Sequence, residues 1–405
     1  MSDSKDLLVS PDTEGPVVRL VNLILMDAYR KHATEVYIEP YEQLFRVRYR
    51  LDGVLTEVMR PPRKLQGAIT ARLKVIGKLD IAERRLPQDG LFSLSIDSTV
   101  VDFQISMIPT RWGEAIMIRL LHRSRPWLPG LQELGLSEKQ LADLLEAQQK
   151  RQGVIVASGP TFAGKTTTLY ALLQHQYEED PQRSFATIEV AIHAYLEGVE
   201  QSVTYPDIGL DASAFLRAHL RRRPDVLLVH ELYDFEVSML TMQAAMQGMQ
   251  ILTTLHTNDA SSVISRLLNV GMESYRVADS LTCVVAQRVG RRICESCKQP
   301  ADESSAALLS LGVCSEEVDT FTPMEGKGCS DCLGSGYRGG VGFFEVLPVT
   351  AQVRELIMRR ASTEDICQVA RDEGVISMRR SALNAMKRGE TTLREVVLNT
   401  TLEAG

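Results

Sequence analysis

Apolar and polar positions change rhythm along this chain, and each rhythm predicts a different element. Pro16 to His32 reads as an amphipathic helix. Leu44 to Val58 alternates with period two and predicts strand, which puts Arg46, Arg48 and Arg50 on one face. Phe92 to Ile118 alternates over several short runs, as a sheet with one buried face does. Pro126, Pro129, Gly130 and Gly135 punctuate the next stretch as a linker. Beyond it the pattern turns to short apolar runs, Val154–Ala157 and Val226–Val229, the mark of buried parallel strands, with a third strand at Ile251–Leu255. Met239, Met242, Met246 and Met249 recur at helical spacing, which is core packing rather than a ligand site. From Leu347 onward the chain reads as mostly helical. The expected fold is therefore α/β: an α+β lobe over 1–121, with residues 1–14 a loose polar tail; a linker over 122–135; and a lobe with a parallel sheet over 136–405.

The first apolar run leads into Gly159-Pro160-Thr161-Phe162-Ala163-Gly164-Lys165-Thr166, a G-x-x-x-x-G-K-[ST] phosphate loop, and Thr166 to Leu173 reads as the helix after it. The two outer glycines let the backbone turn and approach a ligand. Loop amides and the helix N-terminus offer positive partial charge to phosphates. Lys165 should reach the β- and γ-phosphates of ATP, and the Thr166 hydroxyl should ligate Mg²⁺, with Thr167 beside it. Phe162 is out of place where backbone amides must crowd around phosphate oxygens. The second run ends in His230-Glu231. An acid at the end of a strand beside a phosphate loop can hold the metal or its water; otherwise Glu231 is an exposed acid in a turn. The third ends in His256-Thr257-Asn258-Asp259, and His256 is either a γ-phosphate sensor or a structural histidine.

Taken in order, these segments resemble the ATPases of type II secretion and type IV pilus assembly, the GspE/PilB-like proteins. The resemblance covers nearly the whole chain. It rests on Ile38-Glu39-Pro40, Arg46 to Gly53, Asp80 to Gly90, the phosphate loop, Thr187-Ile188-Glu189, Leu255 to Ala260 and a tetracysteine unit. It implies a PAS-like N-terminal lobe, a RecA-like second lobe, a homohexameric ring, and ATP hydrolysis working on an inner-membrane platform protein. It makes Glu189 the base that polarises water, Glu231 a second acid, and His256 part of a histidine box. It also makes Arg84, Arg85 and Arg119 nucleotide-facing cations, and it offers the Arg46–Arg50 stripe as a basic face, against the plainer reading of a solvated strand surface. Assembly-type members usually carry a further N-terminal docking domain, whereas here the first lobe begins almost at Met1.

Several positions depart from the pattern. Phe162 and Ala163 stand where the family has Gly and Ser. Val190, Ala191, Ile192 and His193 replace Asp-Pro-Val-Glu. His230-Glu231-Leu232-Tyr233-Asp234 lacks an arginine. Leu91 and Gln104 occupy positions that usually offer arginine to the γ-phosphate. An arginine finger supplies roughly 10³ to 10⁵ in rate. The expectation is thus a hexameric motor for pilin or pseudopilin assembly with impaired turnover; the alternative is a nucleotide-binding paralogue serving as a regulatory or structural ring subunit.

Cys294 and Cys297 form one C-x-x-C pair and Cys329 and Cys332 another, with 31 residues between. Four thiolates suit a structural, tetrahedral Zn²⁺; disulfides or free thiols are the alternatives. The resemblance supports zinc and places the unit at 288–345, before a helical region at 346–405. It also disfavours a retraction motor, since those generally lack the four cysteines. Cys283, Cys314 and Cys367 read as buried small apolar residues. With 44% hydrophobic and 24% charged residues and net charge −7, the chain is ordinary for a globular protein and argues against a general nucleic-acid binder. No apolar run is long enough to insert in a membrane, and a reducing cytoplasm is expected.

Overall fold

The computed structural model describes residues 15–97, 99–121, 128–205 and 208–401. The tail at 1–14 and the first part of the linker, 122–127, lie outside the described residues. The chain divides into two compact units, residues 1–126 with 193–195 and residues 127–192 with 196–405.

The first unit contains helix α1 (Pro16–Arg30), strands β1 (Glu35–Pro40), β2 (Phe45–Leu51) and β3 (Val54–Met59), helix α2 (Gln66–Gly77), and strands β4 (Gln88–Ile96), β5 (Thr99–Thr110) and β6 (Gly113–Leu121). The six strands form one antiparallel sheet, ordered β3-β2-β1-β6-β5-β4. Alternation gives the sheet two unlike faces. Val36, Ile38, Val47, Tyr49, Phe103, Ile105 and Ile118 are buried with Ile24, Leu25, Ile69 and Leu73 of the two helices. The opposite face carries the arginine stripe, and there the arginines meet acids of β1. Arg46 and Arg48 pair with Glu39 at 3.0 and 2.7 Å, and Arg50 pairs with Glu35 at 2.7 Å. Each arginine of the stripe is thus ion-paired, Arg46 and Arg48 sharing one acid.

The second unit runs α3 (Glu138–Gln149), β7 (Gly153–Ser158), α4 (Lys165–Glu179), β8 (Phe185–Glu189), β9 (Val199–Val203), α5 (Ala212–Arg222), β10 (Val226–Val229), α6 (Phe235–Met246), β11 (Gln250–Leu255), α7 (Ala260–Asn269), α8 (Ser274–Ser280) and β12 (Leu281–Ile293). Then come β13 (Lys298–Pro300), α9 (Ser305–Ser310), β14 (Met324–Gly326), β15 (Tyr337–Pro348) and helices α10 (Ala351–Met358), α11 (Thr363–Asp372), α12 (Met378–Lys387) and α13 (Leu393–Asn399). Seven strands form a sheet ordered β15-β12-β7-β11-β10-β8-β9, parallel except for β15. This is a RecA-like lobe. β7, β8, β10 and β11 are buried along their whole length, which is why β7 and β10 read as apolar runs. The cysteine unit occupies 294–336, narrower than the expected 288–345, because β12 and β15 pair with each other as members of the main sheet.

The methionine stripe is only partly core. Met242 and Met249 are buried and Met239 packs at the core's edge, while Met246 is exposed. Of the lone cysteines, Cys283 is buried as expected. Cys314 is exposed, contrary to expectation, and Cys367 is half-buried with Sγ 3.0 Å from the Ser261 hydroxyl.

Candidate nucleotide site and tetracysteine centre

β7 hands the chain to the loop at Gly159. Its φ is +150°, and a Cβ there would lie 2.5 Å from the Gln287 carbonyl, so glycine is required. Gly164, in the left-handed region, caps α4. Lys165 opens that helix, with Thr166 and Thr167 half-buried in its first turn. The Lys165 ammonium folds back into the loop and donates to the carbonyls of Gly159 and Pro160 at 2.7 and 2.9 Å. Pro160 and Thr161 are exposed, and Ala163 is buried. Phe162 holds φ +66° with its ring 55% exposed. That conformation costs a residue with a Cβ about 1–2 kcal/mol. Gln287 on β12 supports the loop from beneath: Nε2 donates to the Ala163 carbonyl at 2.6 Å.

Because β7, β11, β10 and β8 lie side by side and parallel, their carboxyl ends converge. Those ends deliver the loop, His256, Glu231 and Glu189. Asp234 caps α6 and Asp259 caps α7, each accepting a backbone N–H at 2.8 Å, which fixes the two loops that follow Glu231 and His256. The result is a chain of contacts. Lys165 Nζ lies 3.3 Å from His256 Nδ1, and His256 Nε2 lies 3.4 Å from a Glu231 carboxylate oxygen. Donation from the ammonium leaves the imidazole proton on Nε2, facing Glu231. Burial draws the Lys165 ammonium down to about 8; Glu231 opposes that shift and Arg288 adds to it. Burial likewise lowers His230.

Glu189 does not join this chain of contacts. It is fully buried at the end of β8. Thr187 donates to one carboxylate oxygen at 2.6 Å, Gln201 approaches the same oxygen at 3.4 Å, and Tyr170 donates to the other. Burial raises its pKa, against the opposing effect of those three bonds.

Arg84, Arg85 and Arg119 belong to the first unit. Arg84 and Arg85 are exposed on the loop between α2 and β4. Buried Lys74 ties that loop by donating to the Glu83 carbonyl while pairing with Glu114 at 2.6 Å. Arg85 pairs with Glu83, and Arg119 with Glu35, each at 3.0 Å. Strand register adds what sequence reading missed. Leu91 faces Gln104, Gln104 faces Arg119, and Arg119 faces Glu35, one row across four strands. Leu91 and Gln104 are therefore neighbours on one face, and Arg119 beside them shares Glu35 with Arg50.

Cys294, Cys297, Cys329 and Cys332 bring their sulfurs within 4.8 Å of one another. The separations Cys294–Cys329, Cys297–Cys332 and Cys329–Cys332 are 3.9, 3.8 and 3.7 Å. Tetrahedral Zn²⁺ with bonds of about 2.3 Å needs sulfurs about 3.8 Å apart, so the cluster fits zinc. The N–H groups of Gly328 and Gly336 point at the Cys297 and Cys332 sulfurs at 3.3 and 3.2 Å, which favours thiolates.

A glycine-rich loop between β7 and α4, with an acid and a histidine on neighbouring strand ends, defines a P-loop ATPase. The sequence matches the Type II/IV secretion system protein family over residues 10–398, and the chain belongs to that family. It is 43% identical to the type IV pilus assembly ATPase PilB of Myxococcus xanthus, covering 98% of this chain and 70% of the relative. It is 37% identical to type II secretion system protein E of Pseudomonas aeruginosa, covering 98% and 77%. It spans 66% of the length of the Acinetobacter baylyi PilB. Among solved structures, the fold is similar to the Legionella pneumophila ATPase DotB (TM-score 0.70, 16% identity, 96% and 97% coverage). It is also similar to the pilus retraction motor PilT with bound ADP (TM-score 0.63, 20% identity, 93% and 96% coverage).

Proposed function

We propose that this chain binds ATP with Mg²⁺ at 159–167 and hydrolyses it slowly, as a homohexameric motor for pilin or pseudopilin assembly. In this reading it acts from the cytoplasmic side on an inner-membrane platform protein. The observation that carries the proposal is the Lys165–His256–Glu231 chain of contacts at the mouth of the phosphate loop. ATP supplies the phosphoanhydride bond. Lys165 and the loop amides hold its phosphates, and Thr166 holds the metal. Glu231 is better placed than Glu189 to orient water, because it stands beside Lys165 and His256 while Glu189 is enclosed by three donors. The all-antiparallel sheet with helices on one face supports a PAS-like first lobe, and the sulfur spacing supports structural zinc. Among the described residues no helix is long and apolar enough to cross a membrane, in keeping with membrane contact through a partner.

The second reading, a nucleotide-holding ring subunit without turnover, draws on the Leu91–Gln104–Arg119 row and on Phe162. Phosphate release by zinc-loaded protein, with Lys165→Ala as control, decides between them. Release that vanishes in the variant supports the motor. Equal background release by both, with nucleotide still bound by the unsubstituted protein, supports the ring subunit.

A further inference from the structure

Arg288 is a second cation at the phosphate loop, and nothing in the motif assigned it a task. β12 runs parallel to β7 with Ala286 opposite Ser158, so two residues later Arg288 arrives alongside the loop itself. Its Nη1 lies 3.4 Å from where a Cβ on Gly159 would stand, and Lys165 senses its charge. The guanidinium donates to the Gln287 carbonyl at 3.0 Å, to the Asn258 carbonyl at 3.0 Å and to the Asn258 amide oxygen at 3.3 Å. All of these acceptors are neutral. Among the described residues no carboxylate lies within ion-pair distance of it, whereas Arg46, Arg48, Arg50, Arg85 and Arg119 each have one. Burial depresses its pKa. Asp259 and Glu345 act on it only at longer range, and a half-buried cation with no carboxylate in direct contact is costly. A loop tie alone would be met more cheaply by a neutral amide. The arrangement therefore awaits an anion.

We infer that Arg288 contacts the terminal phosphate of the bound triphosphate, supplying from within the ATPase lobe part of the positive charge that Leu91 and Gln104 do not. The inference rests on the nucleotide reading of the loop. It also gives Asn258 a role: holding the guanidinium fork in place between the end of β11 and the loop.

The test compares fluorescent ADP with a fluorescent non-hydrolysable ATP analogue, titrated onto zinc-loaded full chain. A charge-assisted bond to phosphate predicts that Arg288→Gln weakens the triphosphate by roughly ten- to hundredfold more than the diphosphate. Arg288→Lys, which keeps the charge but not the fork, should lose severalfold. Equal losses for both nucleotides, or no loss, overturn the inference and leave Arg288 a loop tie. Should Arg288→Gln fail to fold, the Lys variant carries the same comparison. If the unsubstituted protein binds neither nucleotide, the nucleotide reading fails instead, and the two failures are told apart.

Discussion

Phe162 keeps a left-handed backbone that glycine would adopt freely, at a cost of about 1–2 kcal/mol. Introducing glycine also loosens the unfolded chain, by about 0.5–1 kcal/mol. The two effects nearly cancel, so Phe162→Gly should leave the thermal midpoint within a few degrees of the original, whereas β-branched Phe162→Val should lower it clearly. Its effect on function should be larger, with faster phosphate release as the loop amides become accessible. At Glu189 the sign of the pH dependence is fixed by a raised pKa. The contribution of the protonated carboxyl is present at low pH and lost as pH rises through its elevated value in the folded protein. Glu189→Gln keeps a neutral hydrogen-bonding group, so it should melt higher than the parent at pH 8, with the gap closing toward pH 5. If Glu189 were instead the reacting base, phosphate release would disappear in that variant.

Among the elements, the cysteine unit is the most dependent on something besides the chain. It has one two-stranded sheet and one short helix, too little to bury a core of its own. Leu308, Val313 and Phe321 instead join the core of the lobe, and Arg380 of α12 grips Glu317 through two bonds of 2.7 Å. Removal of zinc by a chelator should therefore unfold 294–336 and also loosen α12. Hydrogen exchange should rise in 378–387 while β7 and β11 stay protected, with one zinc released per chain. The elements most legible in the sequence were β7 and β10, because a strand covered on both faces reads as a nearly unbroken apolar run. The support beneath the loop was not legible: Gln287 and Arg288 close the apolar run Leu281–Ala286, and only strand pairing shows that this run lies against β7. The enclosure of Glu189 was not legible for a related reason. An acid at a strand's end looks the same in sequence whether its neighbours are water or Tyr170, Thr187 and Gln201.

At the scale of the molecule, one row of the first unit's sheet sets an apolar and a neutral side chain beside an ion-paired arginine. Leu91, 62% exposed where a polar side chain would be expected, and Gln104 sit beside an arginine bound to Glu35. Restoring Leu91→Arg and Gln104→Arg together should raise the phosphate-release rate by tenfold or more, against an upper limit of about 10³–10⁵ for a full arginine finger. An unchanged rate would mean that this face does not govern turnover. The two-unit organisation was readable from the switch between alternating and continuous apolar patterns. The pairing of the arginine stripe was not, because Glu35 and Glu39 lie on β1, several residues from the arginines they meet.

β12 begins in the sheet's core, passes the loop at Arg288 and ends one residue before Cys294. The strand thus acts as a ruler of about 20 Å between guanidinium and metal ligand. Its graduations are side-chain faces, so lengthening it by one residue would turn Cys294 away from its three companions, while lengthening it by two would restore the facing but shift the whole cluster outward by about 7 Å.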